Sequence, residues 1–169
     1  MNKLPVIISF ISLIISLTQF IISIYAKRFT IKIHPIRFEK LETELYKKFF
    51  FQILVENKSN TPIAITNIKA ITSSNEAINC CLTKNFIGES FKLVDGKENN
   101  KISYYSNEFP INIAPFGAIM PYIVFKVPKN KNIDIFNKQP NSLLLEVSTN
   151  RKVKTVCLNN FKELSFFDL

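Results

Sequence analysis

The sequence predicts an all-β sandwich of about seven to nine short strands with Greek-key connections, preceded by one N-terminal transmembrane helix. Three observations predict it. The run Leu4–Ala26, LPVIISFISLIISLTQFIISIYA, holds no charged side chain. Short stretches of alternating apolar and polar residues recur through the remainder, punctuated by Pro, Gly, Asn and Ser. A final pair of such stretches flanks Asn150-Arg151, the clearest hairpin signal in the chain. The division that follows is an anchor with its basic flank over residues 1–28 and a β-sandwich domain over residues 29–169.

The anchor rests on length. A helix rises about 1.5 Å per residue, so roughly 20 apolar residues cross a hydrocarbon core of about 30 Å. Leu4–Ala26 reaches that length. Its Ser and Thr hydroxyls can bond back to the helix backbone and are tolerated in lipid. Gln19 favours a partner helix, and Ser9, Ser12, Ser16 and Ser23 form one face suited to helix–helix self-association, although serine is common in spans without that role. A cleaved signal peptide has a shorter apolar region, roughly 7–15 residues, and then a small-x-small site. Ile24-Tyr25-Ala26 puts a bulky residue there, and no lipobox cysteine follows.

Orientation follows from the flanks. Lys3 precedes the run, whereas Lys27, Arg28, Lys32, Arg37 and Lys40 follow it with one acid, Glu39. The positive-inside rule places residues 27–169 on the cytoplasmic side of a cell membrane. The competing reading is a signal anchor that exports the domain. Lys27, Arg28, Lys32 and Arg37 form the membrane-flanking basic set, which fixes topology and meets anionic headgroups.

Of 169 residues, about 140 remain beyond the span, enough for one domain with a core. The net charge of +9 points to anionic surroundings. The bilayer is the nearest; nucleic acid is the other candidate, and membrane tethering argues against it. Solubility charge in a lysine-rich proteome explains the excess best. Ile, Asn and Lys are abundant and Trp is absent, the signature of AT-rich coding. Cys80, Cys81 and Cys157 are an odd count with one adjacent pair, a poor disulfide framework. They read as three buried free thiols in a reducing compartment. In an exported protein Cys157 would pair with Cys80 or Cys81.

Each β element has its own warrant. Phe29–Phe38, FTIKIHPIRF, alternates with period two, and Pro35 makes it an edge or broken strand. Glu39–Lys48 is charged and reads as a loop or short helical turn. In Phe49–Glu56, Phe49, Phe51, Ile53 and Val55 face a core, with Gln52 and Glu56 outward. Asn57–Pro62 is a cluster of turn residues. Ile63–Thr72 resumes the alternation and slips near Asn67, which predicts a bulge; the two runs form a hairpin or an inter-sheet crossover.

Ile78–Leu82 is a short strand carrying Cys80 and Cys81, and Ile102–Ser106 is another. Asp95-Gly96 and Asn99-Asn100 mark turns. Phe109–Ala114 and Ala118–Val127 form a strand–turn–strand passage about Pro115-Phe116-Gly117, with Pro121 favouring an edge. Pro128–Pro140 includes one helical turn. Asn141–Thr149 and Lys152–Leu158 are the hairpin arms. In the tail, Phe166, Phe167 and Leu169 dock on the sheet or touch the membrane.

The basic-flanked N-terminal span, F-x-I-x-V-E-N-x-S-x-x-P-I-x-I over residues 51–65, F-P-I-N-I-x-P over 109–115 and the closing hairpin together resemble a group of small proteins. These are single-pass membrane proteins of Gram-positive bacteria and their phages that carry an immunoglobulin-like β-sandwich. The resemblance implies that fold and a membrane location. It implies no site residues.

No catalytic constellation stands out. His34 is the sole histidine, so Ser/Cys–His catalysis and His-rich metal binding have little material. It reads as a solvated surface residue. Gly88, Gly96 and Gly117 are isolated and build no phosphate cradle. Glu39, Glu42 and Glu44 read as a solvated charge run, and Asn57-Lys58-Ser59 as a chance match to a glycosylation acceptor. Lysines and aromatics interleave at Lys47–Phe50 and Lys101–Tyr105, which core packing explains better than single-strand binding. The expectation is therefore a non-catalytic binding or interaction module at the membrane surface. It has no cofactor, metal or catalytic residue, and an unidentified protein partner. The alternatives are an outward-facing membrane-tethered hydrolase and a small phage-type membrane effector.

Overall fold

A computed structural model describes residues 4–26, 29–94, 97–131, 133, 135 and 142–163. The described chain is one apolar N-terminal helix, α1 (Leu4–Ala26), followed by a mostly β body. α1 coincides with the uncharged run. It is long and apolar enough to cross a membrane, and none of Pro5–Ile24 is buried against the protein. Two of its hydroxyls return to the helix backbone, an arrangement tolerated in lipid: Ser9 Oγ donates to Pro5 O at 2.9 Å and Thr18 Oγ1 to Ile15 O at 2.8 Å.

Twelve strands follow among the described residues: β1 (Ile31–Glu42), β2 (Tyr46–Asn57), β3 (Ile63–Ile71), β4 (Ala77–Asn79), β5 (Phe86–Val94), β6 (Lys97–Tyr105), β7 (Ile111–Ile113), β8 (Ala118–Ile119), β9 (Tyr122–Pro128), β10 (Leu143–Thr149), β11 (Val153–Leu158) and β12 (Lys162–Glu163). They form two open five-stranded sheets and one separate hairpin. The first sheet runs β12-β1-β2, with β8 and β9 sharing the far edge of β2. The second runs β11-β10-β3, with β4 and β7 sharing the far edge of β3. β5 and β6 make the hairpin.

Both sheets feed one core. Ile33, Phe38, Phe51, Ile53 and Val55 from the first meet Ile65, Ile68, Leu143, Leu145 and Val147 from the second. Phe51 is fully buried and lies against Phe38, Phe125 and Phe161, with ring centroids 5.0, 5.8 and 5.2 Å away. Phe161 thereby anchors the start of the tail, while Phe166, Phe167 and Leu169 lie outside the described residues.

Several sequence expectations need correction. Glu39–Lys48 is not a loop: β1 runs to Glu42, β2 starts at Tyr46, and Thr43 Oγ1 and N–H close a tight turn on Tyr46. Its charges decorate an exposed hairpin, where Lys40 and Glu42 pair at 2.7 Å. Asn99-Asn100 lies within β6 rather than at a turn. Gln52 points away from the main core as expected but is only 7% exposed. Arg37 Nε donates to its Oε1, and beside it Phe50, Val124 and Ile87 of the β5–β6 hairpin form a second small core on the outer side of the first sheet. β2 is thus buried on both faces from Phe49 to Ile53.

Other expectations hold. β10 and β11 pair antiparallel from Leu143↔Leu158 to Ser148↔Val153 about the Asn150 turn. Their register with β3 slips between Ser148↔Asn67 and Thr149↔Ile65, so the bulge falls at Thr66, beside Asn67. The Asn57–Pro62 turn is an inter-sheet crossover, not a hairpin, since β2 and β3 belong to different sheets. The passage about Phe116 is a crossover too, carrying the chain from β7 to β8. Lys131 N–H closes a turn on Pro128 O, and part of the helical turn expected nearby falls outside the described residues.

Candidate functional site

The register of β1 fixes which end of the body meets α1, the candidate anchor. β1 begins at Ile31, five residues after α1 ends, and Ile31 pairs with Asn57 at the end of β2. Lys58 N–H donates to Thr30 O at 2.9 Å, and Phe116 N–H donates to Ser59 O at 3.1 Å. The Asn150 turn joins the same end, where Asn150 N–H donates to Ala64 O at 2.9 Å and Arg151 Nη1 donates to Thr61 Oγ1. Lys154 Nζ reaches the Ile31 carbonyl at 2.5 Å. Three loops therefore gather at the anchor end: 57–62, 114–117 and 149–152.

Asn57 organises this cluster. It is fully buried, and its Nδ2 donates to Thr61 O at 2.8 Å and to Ala114 O at 3.0 Å. Its Oδ1 accepts from Ser59 N–H at 2.9 Å and Ser59 Oγ at 2.5 Å. Asn57 N–H donates to Gly117 O at 2.8 Å. The Asn-x-Ser pattern is thus a turn device that ties both sheets to the 114–117 loop. The run of turn residues was a signal for the bend, but its link to Ala114 is a long-range contact that no local pattern encodes.

Of the four basic residues expected at the membrane, the structure describes two and sets them apart. Lys27 and Arg28 lie outside the described residues. Lys32 is exposed on β1, one residue from the anchor end. Arg37 lies about 17 Å further along the strand, at roughly 3.3 Å per residue. Its guanidinium faces the sheet's outer side, where Nε donates to Gln52 Oε1 at 2.6 Å and Nη2 to the Tyr122 hydroxyl at 2.9 Å. That network gives the half-buried arginine a packing role the sequence did not announce.

The candidate chemical groups are spread apart. His34 Nε2 sits 3.6 Å from Glu56 Oε2 on a half-exposed face. Lys58 also reaches Glu56 at 3.1 Å, and its hydrogen bond holds the Glu56 carboxyl below the usual glutamate range. The thiols are all free, but they are not uniformly buried as expected: Cys80 is buried, Cys81 half-buried and Cys157 exposed. Burial pushes the Cys80 thiol up to about 11, the mark of an inert packing cysteine. Among the described residues, no group of three or more His, Cys, Asp or Glu is placed to hold a metal ion.

The interleaved aromatics also divide. Phe49 and Phe50 are each 2% exposed and belong to the cores. Tyr105 is exposed and packs edge-on to Phe86 at 5.7 Å, with Lys84 Nζ 4.4 Å above its ring. No protein-family model matches the chain, and no curated protein matches it significantly.

Proposed function

We propose that this chain is a single-pass membrane protein whose body, an immunoglobulin-like Greek-key sandwich, works by contact rather than catalysis on the cytoplasmic face of the membrane. The observation that carries the reading is α1. Its apolar surface packs on nothing in the protein, and it joins the first strand through only four residues. An unburied helix of this composition is stable in lipid and costly in water. The sheet crossings at 57–62 and 114–117 support the sandwich topology. The half-exposed His34 beside Glu56, the inert Cys80 and the structural use of Asn57 and Arg37 support a role by contact.

The test begins with alkaline carbonate extraction of membranes from producing cells. The full chain stays in the membrane pellet; recovery in the soluble fraction, or a product starting at Lys27, overturns the anchor. Cys157 then reports the side, because it is exposed where Cys80 is not. A membrane-impermeant maleimide leaves it unlabelled until the cells are permeabilised, and labelling of intact cells places the body outside. Affinity capture from detergent-solubilised membranes recovers a specific partner. A capture with none, together with substrate turnover by the purified full chain, overturns the contact role.

A further inference from the structure

We infer that the anchor end of the body is itself seated in the lipid interface, with Phe116 inserted among the headgroups and a ring of basic side chains holding anionic lipid around it. The inference deepens the membrane-anchored reading and rests on α1 as a span. Phe116 and Pro115 are the central residues of a turn closed by Gly117 N–H on Ala114 O at 3.0 Å. Phe116 has φ 53°, the left-handed region that bulky residues avoid, and it is 71% exposed. Neither packing nor backbone geometry favours phenylalanine there, whereas Asn or Gly would satisfy the turn without strain. A strained, exposed aromatic at a loop tip calls for something outside the body to cover it.

The occupant follows from the tether. Consecutive Cα atoms lie about 3.8 Å apart, so Thr30 is within about 15 Å of Ala26, where the helix ends. Phe116 is two backbone hydrogen bonds from Thr30, through Ser59 and Lys58. The polar interfacial layer is about 5–7 Å thick on each side of the hydrocarbon. The surface closest to this end is therefore the bilayer itself. Its charge is suited to anionic lipid: Lys32, Lys58, Arg151 and Lys152 are exposed around the three loops, and Glu56 among them is ion-paired to Lys58.

The chain contains no tryptophan, so Phe116→Trp installs a single fluorescent reporter. Leu45→Trp is the control. Leu45 is 72% exposed in the β1–β2 turn, about 36 Å away along β1. Each full-length variant is reconstituted into phosphatidylcholine vesicles with and without phosphatidylglycerol, and the vesicles are floated. In the floated protein, brominated acyl chains quench the indole of Phe116→Trp several-fold more than that of Leu45→Trp, and the emission of Phe116→Trp is blue-shifted. Adding Lys32→Gln and Lys152→Gln to Phe116→Trp weakens its quench in the anionic vesicles. Floated Phe116→Trp protein that emits as in water, and is quenched no more than Leu45→Trp, overturns the inference and leaves the tip for a protein partner. Insertion equal in neutral and anionic vesicles overturns the basic ring alone. Protein that fails to float overturns the span on which the inference rests.

Discussion

Replacing Asn57 by alanine removes four side-chain hydrogen bonds at a fully buried point, two donated to Thr61 O and Ala114 O and two accepted from Ser59. A neutral hydrogen bond contributes about 1 kcal/mol net, and a buried group left without a partner costs about 1–3 kcal/mol. Thr61 O keeps a weak bond from Ser59 Oγ at 3.2 Å and Ala114 O keeps one from Gly117 N–H, so the full penalty falls mainly on Ser59. The expected loss is about 3 kcal/mol. With a urea dependence of about 2 kcal/mol per molar for a domain of this size, the midpoint falls by about 1.5 M. The assay is urea unfolding of the full chain in micelles, read by circular dichroism of the β body, beside Asn60→Ala at the exposed neighbouring turn position. Asn60→Ala stays within about 0.5 kcal/mol. Asn57→Asp is at least as damaging as Asn57→Ala, because a carboxylate cannot donate to the two carbonyls. If Asn57→Ala and Asn60→Ala unfold at the same urea concentration, the junction is not held by this side chain.

Other outcomes follow from single groups. Arg37→Ala leaves the buried Gln52 without the guanidinium and costs about 1–3 kcal/mol in the same urea assay, with Cys157 labelling unchanged; an altered labelling side would make Arg37 a topology residue after all. Cys80 remains a thiol up to about pH 11 in the fold but ionises near 9.0 when unfolded, so stability is intact below pH 9 and declines through pH 11. Cys80→Ala removes that part of the alkaline decline, and equal slopes for the two proteins would refute it. Phe116→Asn relieves the left-handed strain and raises body stability in detergent by about 1 kcal/mol, read as a higher urea midpoint; a lowered midpoint would show that Phe116 packs for the fold.

The parts of the fold written in local pattern were readable. Leu4–Ala26 needs no tertiary partner to be helical in lipid, and the β10–β11 hairpin carries its own turn. The Ile63–Ile71 bulge was visible because one extra residue breaks the period of two. What failed depended on neighbours far along the chain. Gln52 reads as outward, but Arg37, fifteen residues back, and the β5–β6 hairpin, more than thirty residues on, cover that face. Lys40, Glu42 and Lys47 read as loop because an exposed hairpin can carry charge on every outward position. Phe116 sat in an expected turn, but its exposure and positive φ are facts of the folded backbone.

The β1–β2 ladder also has a mechanical meaning. The strand leaving α1 is paired nearly along its length, from Ile31↔Asn57 to Glu42↔Lys47. With α1 held in a bilayer and a partner gripping the far end of the body, tension runs lengthwise along β1. The ladder is then loaded in shear, its bonds sharing the load together, instead of being peeled open one at a time. A body tethered in this way resists being pulled open better than one hung from a loop.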